Sequence, residues 1–213
     1  MRRLTSLTLL IGAAILVTGF VFTRHDQEAP KKEMPSKIDA STPKDIQIEL
    51  ALQAAPKEVS SNATIWILGK AGYEKVREGT NGFNCLISRE RMDTMEPECF
   101  DAETSATSMQ VTLFQEAERA KGKSEEAIDK EIEAGYKSGK FKAPSKAGII
   151  YMMSDHNYVL NPGTGKIIRF PGHYMFPAPY ITYKDLGSPN GKGVPYIVAE
   201  GKPNALVIVV PRH

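Results

Sequence analysis

Val76 to Asp101 reads VREGTNGFNCLISRERMDTMEPECFD, and the rest of the chain is organised around this stretch. It holds both cysteines of the sequence and an Asn-Gly pair flanked by strand-forming residues. A two-residue Asn-Gly loop supplies positive φ at both central positions and matches the twist of paired strands. The spacing therefore predicts a β-hairpin closing at Thr80 to Phe83, between Tyr73–Val76 and Phe83–Ile87. The returning strand carries Cys85. Cys99 follows after a charged segment interrupted by Pro97, which reads as neither strand nor helix. A Cys85–Cys99 bridge would close a loop of about 15 residues and contribute about 3 kcal/mol in the chain-entropy model, pinning the loop to the sheet. The alternative, two buried free thiols, depends on the compartment.

That compartment is read from the N-terminus. Met1-Arg2-Arg3 precedes an uncharged run from Leu4 to Thr23, which Arg24 ends. A basic start and an apolar core form the pattern of a secretory signal. The run also approaches the length that spans a bilayer. Residues 1–22 are thus a signal peptide or an N-terminal membrane anchor, and Arg2 and Arg3 place the bulk of the chain outside in either case. The main domain is expected to be exported, periplasmic or extracellular. Without residues 1–22 the formal charge falls from +2 to 0. That balance points to no nucleic-acid partner and no anionic membrane surface, so contact with a membrane is expected only through an uncleaved N-terminal segment. Residues 23–41 have few large apolar side chains and read as a flexible linker. Residues 42–213 remain for a single domain with a sizeable core.

Thr42-Pro43-Lys44-Asp45 is a helix start, with Thr42 as N-cap and Asp45 closing a capping box. Ile46, Leu50 and Ala54 form its apolar face before Pro56. ATIWIL (Ala63–Leu68) is a strand and Gly69–Gly72 a turn, so three strands are expected in a meander. Ser108 to Lys121 and a second segment capped by Ser124 and ended by Gly139 read as amphipathic helices. Strand patterns follow at Ile149–Met153, Tyr158–Leu160, Ile167–Phe170, Tyr174–Phe176, Tyr196–Ala199 and Leu206–Val210. The last, apolar throughout, is expected to be central and covered on both faces. The class is α+β: a mostly antiparallel sheet with two or three helices packed on it and one disulfide.

GTNGFNC (Gly79–Cys85), ECFDAE (Glu98–Glu103), GIIYMMS (Gly148–Ser154), PGHYMF (Pro171–Phe176) and PYIVAEGKPNALVIVV (Pro195–Val210) resemble the ordered blocks of a family of uncharacterised exported bacterial proteins. The family pattern runs Gly-Thr-Asn-Gly with a following Cys, Cys-x-Asp, Tyr-Met, Pro-His-x-Met and a late Gly-x-Pro. Gly172 separates Pro171 from His173 here, and Leu206 stands where a second histidine is expected. The resemblance implies export and carries no activity.

Chemistry-bearing candidates are few. The histidines are His25, His156, His173 and His213, and no pair has metal-ligand spacing, so neither a metal site nor a cofactor is expected. Asp101 is either a turn-capping acceptor or an acid/base group working with His173. Ser154-Asp155-His156 is no triad by adjacency, and Gly163-x-Gly165-Lys166 lies between strand patterns, so it is not a phosphate loop. Two functional readings stand. The first is a non-catalytic module binding an unknown protein or small-molecule ligand through the bridged loop, with Asn81, Arg89 and Arg91, and the Pro171–Pro179 segment, with Tyr174 and Phe176. Arg89, Glu90 and Arg91 are most simply a solvated charged loop. The second is a hydrolase or metal-dependent enzyme built from His173, Asp101 and His156, which would have to converge in one pocket.

Overall fold

The computed structural model describes residues 34–161 and 163–211. The expected signal or anchor, His25 and His213 lie outside the described residues.

The chain forms helix α1 (Lys44–Leu52) and short α2 (Lys57–Ser60), then strands β1 (Thr64–Gly69), β2 (Gly72–Arg77), β3 (Asn84–Ser88) and β4 (Glu96–Phe100). Three helices follow: short α3 (Ala102–Ala106), α4 (Ser108–Ala120) and α5 (Glu125–Ser138). The rest is strand: β5 (Ile150–Met152), β6 (Tyr158–Asn161), β7 (Lys166–Arg169), β8 (His173–Pro177), β9 (Tyr196–Val198) and β10 (Leu206–Val209). Eight of these strands make one sheet in the order β2-β1-β3-β4-β5-β8-β10-β9, and β6 and β7 make a separate hairpin. All pairings are antiparallel except β1 with β3. The class is α+β, as the sequence implies.

Local signals place the longer helices. The Ser124 hydroxyl accepts from Ala127 N at 3.3 Å, and Gly139, at φ 78°, ends α5 in the left-handed conformation that glycine adopts without cost. At α1 the expected Thr42 cap is not used. Pro43 takes the N-cap position, and the Thr42 hydroxyl accepts from Asp39 N instead. Gln47 then fixes α1 to β1, donating to Leu68 O and accepting from Leu68 N.

The Asn-Gly segment does not close a hairpin. The hairpin partner of β2 is β1, whose Gly69 faces Gly72, and β3 lies on the other side of β1, parallel to it. Burial decides this. Cys85, Leu86 and Ile87 are buried although they point to alternate faces, so β3 needs a neighbour on each side. Strand β2, with Glu74 and Lys75 exposed, suits an edge. The link from β2 to β3 crosses the start of β1 at Gly79, where a Cβ would sit 2.2 Å from Thr64 N. Asn81 ties the crossing down, donating to Val59 O at 2.7 Å and accepting from Phe83 N.

Glu96–Phe100, read as an irregular loop because of Pro97, is the central strand β4. Cys85 and Cys99 face each other with a Cα separation of 4.0 Å and form the disulfide. So short a separation marks a pair without mutual ladder hydrogen bonds. Two residues back, Pro97 faces Ile87 in the same phase, and its nitrogen points to the side where β5 begins pairing only at Cys99. The missing N–H costs no ladder bond there. The bridge thus joins two adjacent strands rather than pinning a loop onto the sheet.

Two further expectations are corrected. Strand β10 lies next to the edge, between β8 and β9, and Val209 is exposed, so it is neither central nor covered on both faces. The end of the expected linker belongs to the domain: Ile38 is buried and Met34 packs against the same core, making residues 34–41 a strap across it. The core has two layers. One joins α1 and the strap to Ile65, Cys85, Ile87 and Cys99; the other joins Met109 of α4 to Leu86, Phe100, Ile150 and Met175.

The bridge lies within the five-pair ladder of β3 and β4, in the middle of the sheet. Replacing both cysteines by serine is expected to lower stability by about 3 kcal/mol in urea unfolding, from loop entropy alone, while the untreated wild type resists mild reductant.

Candidate functional site

The loop between β3 and β4, Arg89 to Met95, stands on a buried ion network. Arg89 Nε donates to Glu116 Oε1 at 3.0 Å, and Arg89 Nη2 pairs with Glu116 Oε2. The third arm, Nη1, donates to Ile38 O of the strap at 3.2 Å. Arg119 Nη1 reaches the same Glu116 Oε1 at 2.6 Å and Arg89 O at 2.8 Å. Its other nitrogens hold Glu125 and Glu90 O, each at 2.8 Å. Arg91 extends the network outward to Asp129 at 3.4 Å. Arg89 and Glu116 are both buried, so Arg89 is a structural ion-pair residue and not part of a solvated loop. A buried charge needs such partners, because its hydration is lost. Only the tip, Glu90 to Asp93, is presented, with Met92 56% exposed.

Two hollows run along the strap, and the second reaches this loop. One, of about 400 Å³, lies between the strap, the start of α1 and the β1–β2 turn, with Thr42, Lys44, Gln47, Lys70 and Glu74 in its wall. The second, of about 230 Å³, continues past Lys70 to Asp39 and Met92 and reaches the buried Arg89–Glu116–Arg119 group. Both share Ala40, Leu68, Gly69 and Lys70, so they form one groove along the strap.

Beneath the loop, β4 carries two carboxyls on one face, Glu96 opposite Ser88 and Glu98 opposite Leu86. Burial pushes Glu98 up to about 8, helped by the neighbouring Glu96 charge and opposed by the Ser88 hydroxyl. Burial likewise raises Glu96 to about 7; the Thr94 hydroxyl opposes this, and the Glu90 charge adds to it. No cation pairs with either among the described residues. The sequence hid these groups because Pro97 disguised their strand, and it hid Glu116 and Arg119 because an i,i+3 pair on a helix normally lies in solvent.

The three residues of the expected catalytic set are held apart. Asp101 caps α3: Oδ1 accepts from Thr104 N and Thr104 Oγ1, both at 2.8 Å, and Oδ2 from Ile149 N at 3.1 Å. His173 is buried opposite Met152, three residues along β5 from Ile149, or about 10 Å of strand. Its Nδ1 lies 2.8 Å from Pro171 O, which fixes the proton on that nitrogen, and burial lowers its pKa. His156 Nδ1 is 3.0 Å from Gln53 Oε1, beside the Ser154 hydroxyl. No hydrogen bond joins the three, and no metal-holding group of three His, Cys, Asp or Glu occurs among the described residues. Asn81 serves the β1 crossing. Tyr174 and Phe176 lie on β8, three strands from β3 and away from the bridged loop.

Family models, curated proteins and solved structures contain no match to this chain. The site is therefore read from its own geometry.

Arg89→Met would leave Glu116 buried with half its compensation. It should cost about 3–5 kcal/mol in urea unfolding, where a solvated-loop arginine would cost almost nothing. The carboxyls give a pH signature. A carboxyl whose pKa is raised by folding is protonated in the native state, so its contribution is full below pH 4.5 and is lost as the pH rises through about 8. His173, lowered by burial, works oppositely below about 6.5, so the clean window is pH 6.5 to 8. The melting temperature should fall by roughly 5 °C across that window, and Glu98→Gln should flatten most of the slope. An unchanged slope in the variant would remove Glu98 as its source.

Proposed function

We propose that this chain is an exported, non-catalytic binding module, of the family its sequence blocks resemble, and that it takes its ligand in the groove along the strap. The observation that carries this reading is the construction of the groove. Its wall is made by three separate chain segments, the strap, the β1–β2 turn and the bridged loop; the strap and the loop are locked to one buried Arg89–Glu116–Arg119 group, and Leu68, at the start of the turn, is held by Gln47 of α1. A loop held rigid at its base and exposed at its tip is pre-organised for recognition, since little ordering entropy is lost on binding. The disulfide is compatible with an oxidising compartment. Lys44 and Glu74, paired at 2.9 Å, and Lys70, which makes no ion pair among the described residues, give the groove mixed polarity, which fits a polar peptide segment or small polar ligand better than a lipid.

A photo-crosslinking residue at Lys70 or Met92, installed in the protein made by its host, tests the reading. Both positions should yield the same discrete adduct, and the same residue at Lys137, on the far helix, should yield none. Adducts from all three, or from none, would reject the groove as the binding site.

A further inference from the structure

Seven methionines lie among the described residues, and one of them stands apart. Met95, Met109, Met152 and Met175 are buried in the core, and Met34 and Met153 are half-buried. Met92 is 56% exposed, at the tip of the bridged loop. A single exposed apolar side chain is ordinary on a protein surface. Met92 differs in how the loop holds it and in what it borders.

The chain displays Met92 on a tied turn. Thr94 N donates to Arg91 O at 3.1 Å, and the Thr94 hydroxyl accepts from Arg91 N and donates to Arg91 O, each also at 3.1 Å. Met92 and Asp93 are therefore the two corner residues. Thr94 has no exposed surface, so the turn is closed from inside. Its two ends are fixed independently. Arg91 reaches Glu125 at 3.6 Å and Asp129 at 3.4 Å on α5, while Met95 exchanges backbone hydrogen bonds of 2.9 and 2.8 Å with Tyr158 of β6. Two methionines three residues apart thus have opposite fates: Met95 is wholly buried, and Met92 is presented to solvent.

Met92 also borders the inner hollow of the groove, together with Leu68, Lys70 and Ala120. The charged groups of that hollow are largely matched: Arg89 and Arg119 by Glu116, and Asp39 by the Ser41 backbone and hydroxyl. A ligand entering here meets the Met92 thioether as an apolar, polarisable contact. One added oxygen turns that contact into a strong dipole and hydrogen-bond acceptor, which a ligand would have to desolvate. The other sulfurs are shielded from such chemistry. Both cysteines are bridged and without exposed surface, and four methionines lie in the core.

We propose that Met92 is a reversible oxidation site that controls ligand entry to the strap groove. The inference rests on the reading of that groove as the binding site. The oxidant is a peroxide. The sulfur lone pair attacks one peroxide oxygen, the O–O bond breaks and an S–O bond forms; the other oxygen leaves as water, taking up the proton of the transferred one. The sulfur loses two electrons and the peroxide gains them. In the reverse step a thiol-dependent sulfoxide reductase supplies two electrons and two protons from a pair of thiols, which become a disulfide, and the oxygen departs as water. Because the Met92 side chain is no part of the core, the fold is the same in both states and the change is confined to the groove.

Graded hydrogen peroxide treatment of the folded full chain, read by fragment-ion mass spectrometry that separates Met92 from Met95, tests the site. Met92 should gain one oxygen several-fold faster than the other six, and the difference should vanish in urea. The melting temperature should stay in place, and the two sulfoxide reductases, one for each sulfur epimer, should remove the oxygen from the folded protein with dithiothreitol as reductant. The photo-crosslinking residue at Lys70 tests the control. Peroxide given to the host before irradiation should lower the adduct yield several-fold, and Met92→Gln should lower it without peroxide. In Met92→Leu, whatever its own yield, peroxide should change nothing. Oxidation of Met34 or Met153 ahead of Met92 overturns the site. An unchanged yield with Met92 fully oxidised, or an equal fall in Met92→Leu, overturns the control. Absence of adducts before any oxidation removes the groove reading and the control with it, while the oxidation site is decided by the mass map alone.

Discussion

The Arg89 guanidinium is the constraint on which the site depends. A charge taken out of water must be matched on every side, and here the matching partners come from parts of the chain far apart in sequence: Glu116 of α4, Ile38 O of the strap and, through Glu116, Arg119. None of these elements can shift alone without leaving a buried charge or carbonyl unpaired. The groove wall inherits that rigidity. Apolar packing would hold the same elements together about as firmly, but it would tolerate sliding, and a directional network does not.

One transverse row shows how the sheet changes character from edge to edge. Ile65, Cys85, Cys99, Tyr151, Tyr174 and Val209 are successive register partners across six strands, all on the side that α1 covers. Burial is complete at Ile65 and both cysteines, partial at the two tyrosines, and lost at Val209. Helix α1 spans β1, β3 and β4 and stops there, so beyond the disulfide the row is carried by an edge-to-face contact between Tyr151 and Tyr174. The molecule is thus a half well covered by α1, continued by a thinner half whose edge keeps apolar side chains in contact with its surroundings.

How much of this was legible in the sequence follows from how local each cause is. Ser124 and Gly139 bound α5 by contacts within one turn, and they were read correctly from spacing alone. The Asn81-Gly82 pair carried a true turn signal, yet the partner of β2 was decided by a competition no short window contains: which strand can bear burial on both faces. Pro97 erased β4 from the pattern, because its tolerance depends on where β5 starts pairing. With β4 went Glu96 and Glu98, whose raised pKa values exist only under the cover of a fold. Arg89 looked solvated for the same reason, its partners lying 27 and 51 residues away.

The placement of the disulfide sets an order of events in the life of the chain. Both cysteines have no exposed surface and sit in the middle strands beneath α1. No oxidant or reductant reaches the sulfurs once the sheet has closed, so the bond must be made while β3 and β4 are paired and α1 has not yet settled over them. A molecule that closes too early keeps its thiols; one that closes on time keeps its bond through any later change of redox surroundings. The redox state of the pair is therefore a record of where the chain folded rather than of where it now resides.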